Sequence, residues 1–561
     1  MTTLSTHAAR GLLFAAVVCS GCAAVRAAEA AAAPFPLVPG LGSYSRPVST
    51  SSPEAQRYFD QGLRFLFGFN HNSAIRSFQE AERLDPDCTM AHWGIALANG
   101  PHINFPMVPP PAAAEAWREL ELARQSAARA SPVEKALVEA LGHRYANPQP
   151  VDRSGLDRAY ADAMRLVWRQ FPQDADVGVF FAEAMMDLRP WDQWTRAGEP
   201  EPGTEEIIAT LDAVLKLNVN HPFANHLYIH ALEASPHPEM ALPMADRLLG
   251  LQPGLPHNVH MPSHIYIRVG RWQDAVDCNV KAVAAQQEFH ARIGPPQGLL
   301  PVYNAHNEHM LAYAAMMTGQ SELAVRHIRA MAASFPADFL RDFPDVADGY
   351  IPMPLEVLVR FGRWDEILAE PESYPASMPF SRAFRHAARA IAYASKDDPQ
   401  AARAEEAAYA AATKLVPAQA VVGLNLASAV FAIITPMIDG EIAVREGKAD
   451  QAVASLRTAA KAEDALSYSE PPDWLIPTRH SLGAFLLGCG RAAEAEQVYR
   501  DDLAHLPNDG WALYGLHEAL LVQKRETEAA QVQDLFNKVW ARADLAIDAS
   551  CLCQSPTFAG K

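Results

Sequence analysis

Of the 20 histidines in this 561-residue chain, nine fall between positions 226 and 309, where even scattering would put about three. Within that stretch His226/His230 and His260/His264 stand four residues apart, and His257/His260 and His306/His309 three apart. On a helix such spacings place two imidazoles on one face, a turn apart, as helical metal-chelating pairs require. Neutral imidazole suits zinc, copper, iron or nickel. One pair carries little weight, because a single helical histidine is usually a surface or hydrogen-bonded core residue. His71, His92, His143, His327 and His505 are read in that way.

What turns spacing into geometry is a repeat. Residues 55–88 carry Tyr58, Gly62, Phe65, Ala74, Phe78, Ala81 and Pro86, which match positions 4, 8, 11, 20, 24, 27 and 32 of the 34-residue tetratricopeptide (TPR) pattern. Small residues at 8, 20 and 27 let two antiparallel helices approach, aromatics fill the space beside them, and the proline ends the second helix. The frame recurs with Ala241 and Ala275 one period apart, with Ala324 and Pro336 in 305–338, with Gly447 and Ala452 in 433–466, and with Gly483, Ala495, Tyr499 and Pro507 in 476–509. Weaker units fit 89–140, 175–219, 348–370 and 383–415. Pro-, Gly- or aromatic-rich insertions at 101–112, 188–203, 292–302 and 370–381 read as ordered loops. The expected fold is all-α, a TPR-type helix-hairpin solenoid with a right-handed superhelix and loop insertions. Its expected organisation is a signal peptide (1–30), an extended segment (31–52), the repeats (53–548, with His-rich units at 222–338 and C-terminal units at 433–543) and a tail (549–561).

In the first helix of each repeat, positions 2, 5, 9, 12 and 13 share one arc at about 100° per residue, opposite the packing positions. The unit 222–255 then puts His226 at 5, His230 at 9 and Glu233 at 12. The next, 256–289, puts His257 at 2, His260 at 5 and His264 at 9, and 305–338 puts His306 at 2 and His309 at 5. Seven histidines thus face one concave groove, and stacked first helices about 10 Å apart bring them within reach of a common ion. They exceed one ion's needs, so two ions bind or some imidazoles serve as supporting or acid–base groups. Glu183 and Glu356 take position 9 of flanking units and are candidate catalytic bases, while Glu308, toward the packing side, ranks last. Met316, Met317 and Met186 fall at groove positions and favour copper over zinc or iron, although methionine on a helix usually packs.

A net charge of −18 offers no basic surplus for phosphates and excludes nucleic acid as the natural partner. Arg10, the apolar Gly11–Val18 and Ala28-Glu29-Ala30 form an export signal with a cleavage site, which implies a periplasmic or secreted protein. Lipidation at Cys22 is disfavoured because Cys19 stands where that motif wants leucine. No other stretch approaches the roughly 20 apolar residues needed to cross a bilayer, so the mature chain is not expected to be transmembrane. The mature cysteines, Cys88, Cys278, Cys489, Cys551 and Cys553, are scattered and odd in number and point to no disulfide framework; Cys551-x-Cys553 is one residue too tight for a CxxC motif.

Three stretches, Ala224-Asn-His-Leu-Tyr-Ile-His-Ala-Leu-Glu-Ala-Ser235, Pro256-His-Asn-Val-His-Met-Pro-Ser-His-Ile-Tyr-Ile-Arg-Val-Gly270 and Tyr303-Asn-Ala-His-Asn-Glu-His309, resemble a widespread family of exported bacterial TPR proteins, as does Trp474–Leu516. The resemblance implies fold and export, and no reaction. The functional expectation is an exported TPR protein binding one or two transition-metal ions, with His226, His230, His260, His264 and His309 foremost. If catalytic, it would be a metal-dependent oxidoreductase or hydrolase. The alternative is a scaffold whose groove takes a peptide, a small molecule or an exported protein without chemistry.

Overall fold

The computed structural model describes residues 34–554. The signal segment 1–30, Cys22 and the end of the tail lie outside the described residues. The chain forms two compact units, one comprising Met1–Ile265 and Lys281–Leu300, the other Tyr266–Val280 and Pro301–Lys561.

In the first unit the helices are α1 (Pro53–Leu66), α2 (His71–Leu84), α3 (Thr89–Ala98), α4 (Pro110–Ser126), α5 (Pro132–Leu141), α6 (Ser154–Gln170), α7 (Ala175–Met186), α8 (Thr204–Leu217), α9 (Pro222–Leu232), α10 (Leu242–Leu251), α11 (Pro256–His260) and the start of α12 (Pro262–Arg268), whose residues from Tyr266 on belong to the second unit. Local chemistry sets the boundaries. Ser52 accepts from the Ala55 amide and Pro53 opens α1 with its φ already helical. Asn70 caps α2 through the Ser73 amide, and Ser131 with Glu134 forms a capping box at α5. Antiparallel pairs α1/α2, α3/α4, α7/α8 and α9/α10 are the hairpins, and α1 also packs on α3 and α7 on α9, so first helices stack on first helices. The repeat expected to open with one helix from residue 256 is instead broken into α11 and α12. Pro262 has no N–H to give and its ring crowds the preceding turn.

The second unit holds α14 (Leu300–Met317), α15 (Ser321–Ser334), α16 (Ala337–Asp342), α17 (Pro344–Ala347), α18 (Met353–Arg360), α19 (Trp364–Ala369), α20 (Pro379–Ser395), α21 (Pro399–Ala412), α22 (Ala427–Arg445), α23 (Ala449–Glu463), α24 (Thr478–Gly488), α25 (Ala492–His505), α26 (Gly510–Val522) and α27 (Glu526–Val539); α13 (Trp272–Ile293) belongs partly to each unit. A two-residue antiparallel pair, β1 (Val421–Val422) and β2 (Asn425–Leu426), precedes α22. The hairpins α20/α21, α22/α23, α24/α25 and α26/α27 repeat the pattern of the first unit. The architecture is therefore the all-α, TPR-type arrangement of helix hairpins.

Two differences from expectation fall in this unit. α22 is long and apolar enough to cross a bilayer by length and composition, yet most of it is buried by protein. Val430, Ile433, Ile434, Met437 and Ile438 pack inside, and Pro436 and Glu441 interrupt the apolar run. The scattered cysteines point to no disulfide, but Cys551 and Cys553 are bonded to each other. The tail folds inward rather than trailing: Ser550, Cys551, Cys553 and Gln554 are all buried.

The small-residue logic of the repeat is visible in the packing. A Cβ on Gly62 would stand 2.3 Å from the Phe78 ring, and one on Gly94, 2.8 Å from the other side of that ring. The same sandwich recurs around Tyr499, where Gly483 and Gly515 would place a Cβ at 2.4 and 2.1 Å. Gly515→Ala is expected to cost about 1–3 kcal/mol by overpacking, read as a lower urea midpoint. Gly155→Ala, on α6 with open space around it, is the control and leaves the midpoint unchanged or raises it. Equal effects of the two substitutions would count against this packing.

Candidate metal centre

α9 carries His226 and His230, and its anchoring begins at its N-terminus. His221 caps it, with Nδ1 accepting from the Ala224 amide at 3.3 Å and Nε2 donating to Asp176 Oδ1 at 3.1 Å. The Tyr44 hydroxyl donates to the same oxygen at 2.5 Å, and Arg46 Nη1 reaches Asp176 Oδ2 at 2.7 Å. Burial pushes the Asp176 carboxyl up, but His221 and Arg46 more than offset it and hold it ionised. The extended segment before α1 is thereby bonded to the helix pair beneath the centre. Beside each histidine pair stands a hydrogen-bonded buried asparagine. Asn225 Nδ2 donates to Val219 O and His221 O, and Asn258 Nδ2 donates to Gln252 Oε1.

The α1–α2 turn supplies the next constraint. His226 Nδ1 donates to Phe67 O at 2.7 Å. A carbonyl only accepts, so the proton is on Nδ1 and the lone pair on Nε2. His230 Nδ1 donates to Glu233 Oε1 at 2.8 Å, which likewise leaves a lone pair on Nε2; that atom is buried without a hydrogen-bond partner. His257 Nε2 lies 3.2 Å from His226 Nε2. One nitrogen from each of His226, His230 and His257 thus falls within 4.8 Å of the other two, and all three residues are buried.

A second pair adjoins the first. His260 Nε2 and His264 Nε2 are 2.8 Å apart. His264 Nδ1 lies 2.6 Å from Glu233 Oε2, so this one carboxylate serves an imidazole from each group. Ser263 donates its hydroxyl to His260 O, which leaves its oxygen to face His260 Nδ1 at 3.4 Å. The ring centres of His230 and His264, and those of His257 and His260, are both 6.0 Å apart.

Electrostatics match this arrangement. Burial, reinforced by His230, holds His226 well below the ordinary imidazole range, and burial also lowers His230 against the pull of Glu233. Burial pushes Glu233 up, but His264 and His230 overcome it and bring the carboxyl to about 2. His226 and His230 are therefore neutral and the supporting carboxylate ionised at neutral pH. That is the protonation a metal site needs, with each second ring nitrogen tied to a carbonyl or carboxylate.

The surroundings contain groups that the spacing of the histidines does not announce. The Phe69 ring lies 4.5 Å from His226, 5.5 Å from His257 and 5.9 Å from His230, centre to centre. Phe69 takes a left-handed backbone with φ +53°, which turns the α1–α2 connection toward the imidazoles. On its other flank His102 stacks on His71 at 4.1 Å. His71, read from sequence as an isolated histidine, belongs with this cluster. His102 sits in the 101–112 insertion, where no repeat register marks it. Trp191, from the 188–203 insertion, meets His230 edge-on at 5.1 Å.

The remaining sequence-derived candidates sit on other helices. His306 and His309 are on α14 in the second unit, where burial drives His309 down to about 3 and its ring meets Tyr350 edge-on. Glu356, also in that unit, accepts from the Leu475 and Ile476 amides at 2.5 and 3.3 Å and is pushed up to about 8 by burial. Glu183 is buried beside Arg144, and Arg144 pairs with Asp187 at 2.6 Å; burial raises both carboxyls, so the two share this one cation. Glu308 bonds His327, in keeping with its packing-side position. Met186, Met316 and Met317 are fully packed, and the Met316 carbonyl accepts from Trp511 Nε1.

No family model and no curated protein matches the sequence. Among solved structures, the chain is similar over 88% of its length to 92% of human IFIT1, in the structure "Human IFIT1 dimer with PPP-AAAA", at 14% identity and a TM-score of 0.32. In the APC/C hetero-tetramer Cut9–Hcn1, 86% of the chain matches 76% of the solved chain at 12% identity and a TM-score of 0.31. In the P58(IPK) TPR domain, 86% matches 92% at 12% identity and a TM-score of 0.20.

Proposed function

We propose that this is an exported TPR-type protein whose first unit holds one or two transition-metal ions among His226, His230, His257, His260 and His264, with Glu233 as their common support. The observation that carries the reading is the protonation pattern of the imidazoles. Hydrogen bonds at Nδ1 leave a lone pair on Nε2 of both His226 and His230. A nitrogen of His257 lies within 4.8 Å of one from each of them, close enough for all three to share an ion. Imidazole ligands suit zinc, copper or iron, and the packed methionines lend copper no extra support. The export half of the reading rests on residues 1–30. An ion held there by His226, His230 and His257 would supply Lewis acidity, which fits a hydrolase or an oxidoreductase.

The test is elemental analysis of the full chain, purified without a polyhistidine tag after reconstitution. About one or two equivalents of one metal are expected, resistant to gel filtration. A content below about 0.2 equivalents with every metal tried would remove the proposal and leave the helical repeat scaffold alone. X-ray absorption at the edge of the bound element then names the metal and counts nitrogen neighbours.

A further inference from the structure

In the second unit, Cys551 and Cys553 lie beside a carboxyl group that the hairpin packing does not require. Glu441, on α22, is buried, and its Oε1 is 3.1 Å from Cys553 Sγ. Ser481, on α24, has its hydroxyl 3.2 Å from Cys551 Sγ and 3.4 Å from Cys553 Sγ. The Cys553 amide points at Cys551 Sγ from 3.3 Å. Gln554 Nε2 donates to Glu441 Oε2 at 2.9 Å, and Arg445 Nη2 donates to Cys553 O at 2.6 Å, so the segment is held in place whatever the state of the sulfurs.

We propose that Cys551 and Cys553 form a redox-active dithiol–disulfide centre that exchanges with thiol substrates, with Glu441 passing a proton to and from Cys553. Three arguments support it. The bond closes a ring over one intervening residue, so it removes little chain entropy, and its value to fold stability is far below that of a bond across a long loop. A scaffold gains little from it. Second, a buried carboxyl is costly unless it is hydrogen-bonded or neutral, and Glu441 sits where a proton can pass between it and Cys553. Burial pushes Glu441 up to about 7, against the opposing pulls of Arg445, Gln554 and Ser481, so both protonation states are accessible. Third, the two sulfurs differ. Both residues are buried, but Cys551 Sγ has the Ser481 hydroxyl and the Cys553 amide beside it, which can stabilise a thiolate there, while Cys553 Sγ faces Glu441.

In the reducing direction a substrate thiolate attacks Cys551 Sγ. A substrate–Cys551 disulfide forms, the Sγ–Sγ bond breaks, and the electron pair leaves on Cys553, which takes the Glu441 proton. A second substrate thiolate attacks the substrate sulfur, releasing the oxidised substrate disulfide and Cys551 as thiolate. Two thiols lose two electrons and the protein disulfide gains them; reduction of a substrate disulfide by the protein dithiol is the reverse.

The experiment equilibrates the intact full chain in glutathione buffers of graded potential, quenches with an alkylating agent and reads the mass. Cys551 and Cys553 are expected to become alkylated together in one two-electron step, with circular dichroism unchanged. Reduction by dithiothreitol, at constant thiolate concentration, is expected to slow as pH rises through about 7, where Glu441 loses its proton. Glu441→Gln should abolish that inflection and slow the reaction by about 100-fold. If that variant does not fold, the wild-type equilibrium and pH profile still decide. Independent alkylation of the two thiols in oxidising buffer would overturn the proposal. So would reduction that occurs only in denaturant, an unchanged profile in Glu441→Gln, or a zinc ion held by the two thiols in place of the bond.

Discussion

Alanine at His226, His230 or His257 is expected to lower the affinity of the first unit for its metal by more than about 100-fold, because each removes a donor that loss of a supporting group would only loosen. Glu233→Gln sets the scale for support. It keeps the shape but withdraws the charge that orients both His230 Nδ1 and His264 Nδ1, and should weaken binding by about 10- to 100-fold. His237→Ala is the control, since that exposed histidine pairs only with Glu239. Competition against a chelator of known affinity measures all of these. If His237→Ala lost as much affinity as His257→Ala, binding would be non-specific and the imidazole centre would be refuted. His260→Ala separates one ion from two: with two, it removes one equivalent and spares the other.

The second large effect is on stability against pH. His480 is fully buried between Asp509 Oδ2 at 2.6 Å and Asp502 Oδ2 at 3.1 Å. Burial lowers it, but the two carboxylates overcome burial and raise it to about 9. A folded-state value above the unfolded 6.5 means that the native state binds the proton more tightly. The stabilisation is complete below about 6.5 and is lost as pH rises through about 9, roughly 3 kcal/mol in all. Buried carboxyls in the same unit act in the same direction. Burial raises Glu356 to about 8 and Glu463 to about 7, so each favours the fold while protonated and ceases to do so as pH climbs. The urea midpoint should therefore fall between pH 6.5 and 9. His480→Ala leaves two buried carboxylates without their cation and is expected to cost about 3–5 kcal/mol at pH 6. The gap from wild type should narrow above pH 9, where the native imidazole is itself neutral. A pH-independent gap would mean that the ring serves as filler rather than as a charge.

Asp509 shows why such a site escapes a linear reading. It caps α26 through the Trp511 and Ala512 amides, which sequence can suggest, but its bond to His480 joins residues 29 apart through folded hairpins.

The repeat is where sequence had most to say about this chain. Small and aromatic residues at fixed offsets dictate antiparallel helix pairs, because Gly62 and Gly94 must admit Phe78, and Gly483 and Gly515 must admit Tyr499. Those offsets also put His226 and His230 on one face of α9, since helical periodicity is a local property. Only the tertiary structure decided which imidazoles meet. It split the next helix at Pro262, turned Phe67 and Phe69 toward the cluster from residues far upstream, stacked His102 on His71, and drew Cys551 and Cys553 in against Glu441. The physical reason is that hydrogen-bond partners and burial, which fix where a proton or lone pair resides, depend on contacts between distant parts of the chain, and no spacing rule encodes those.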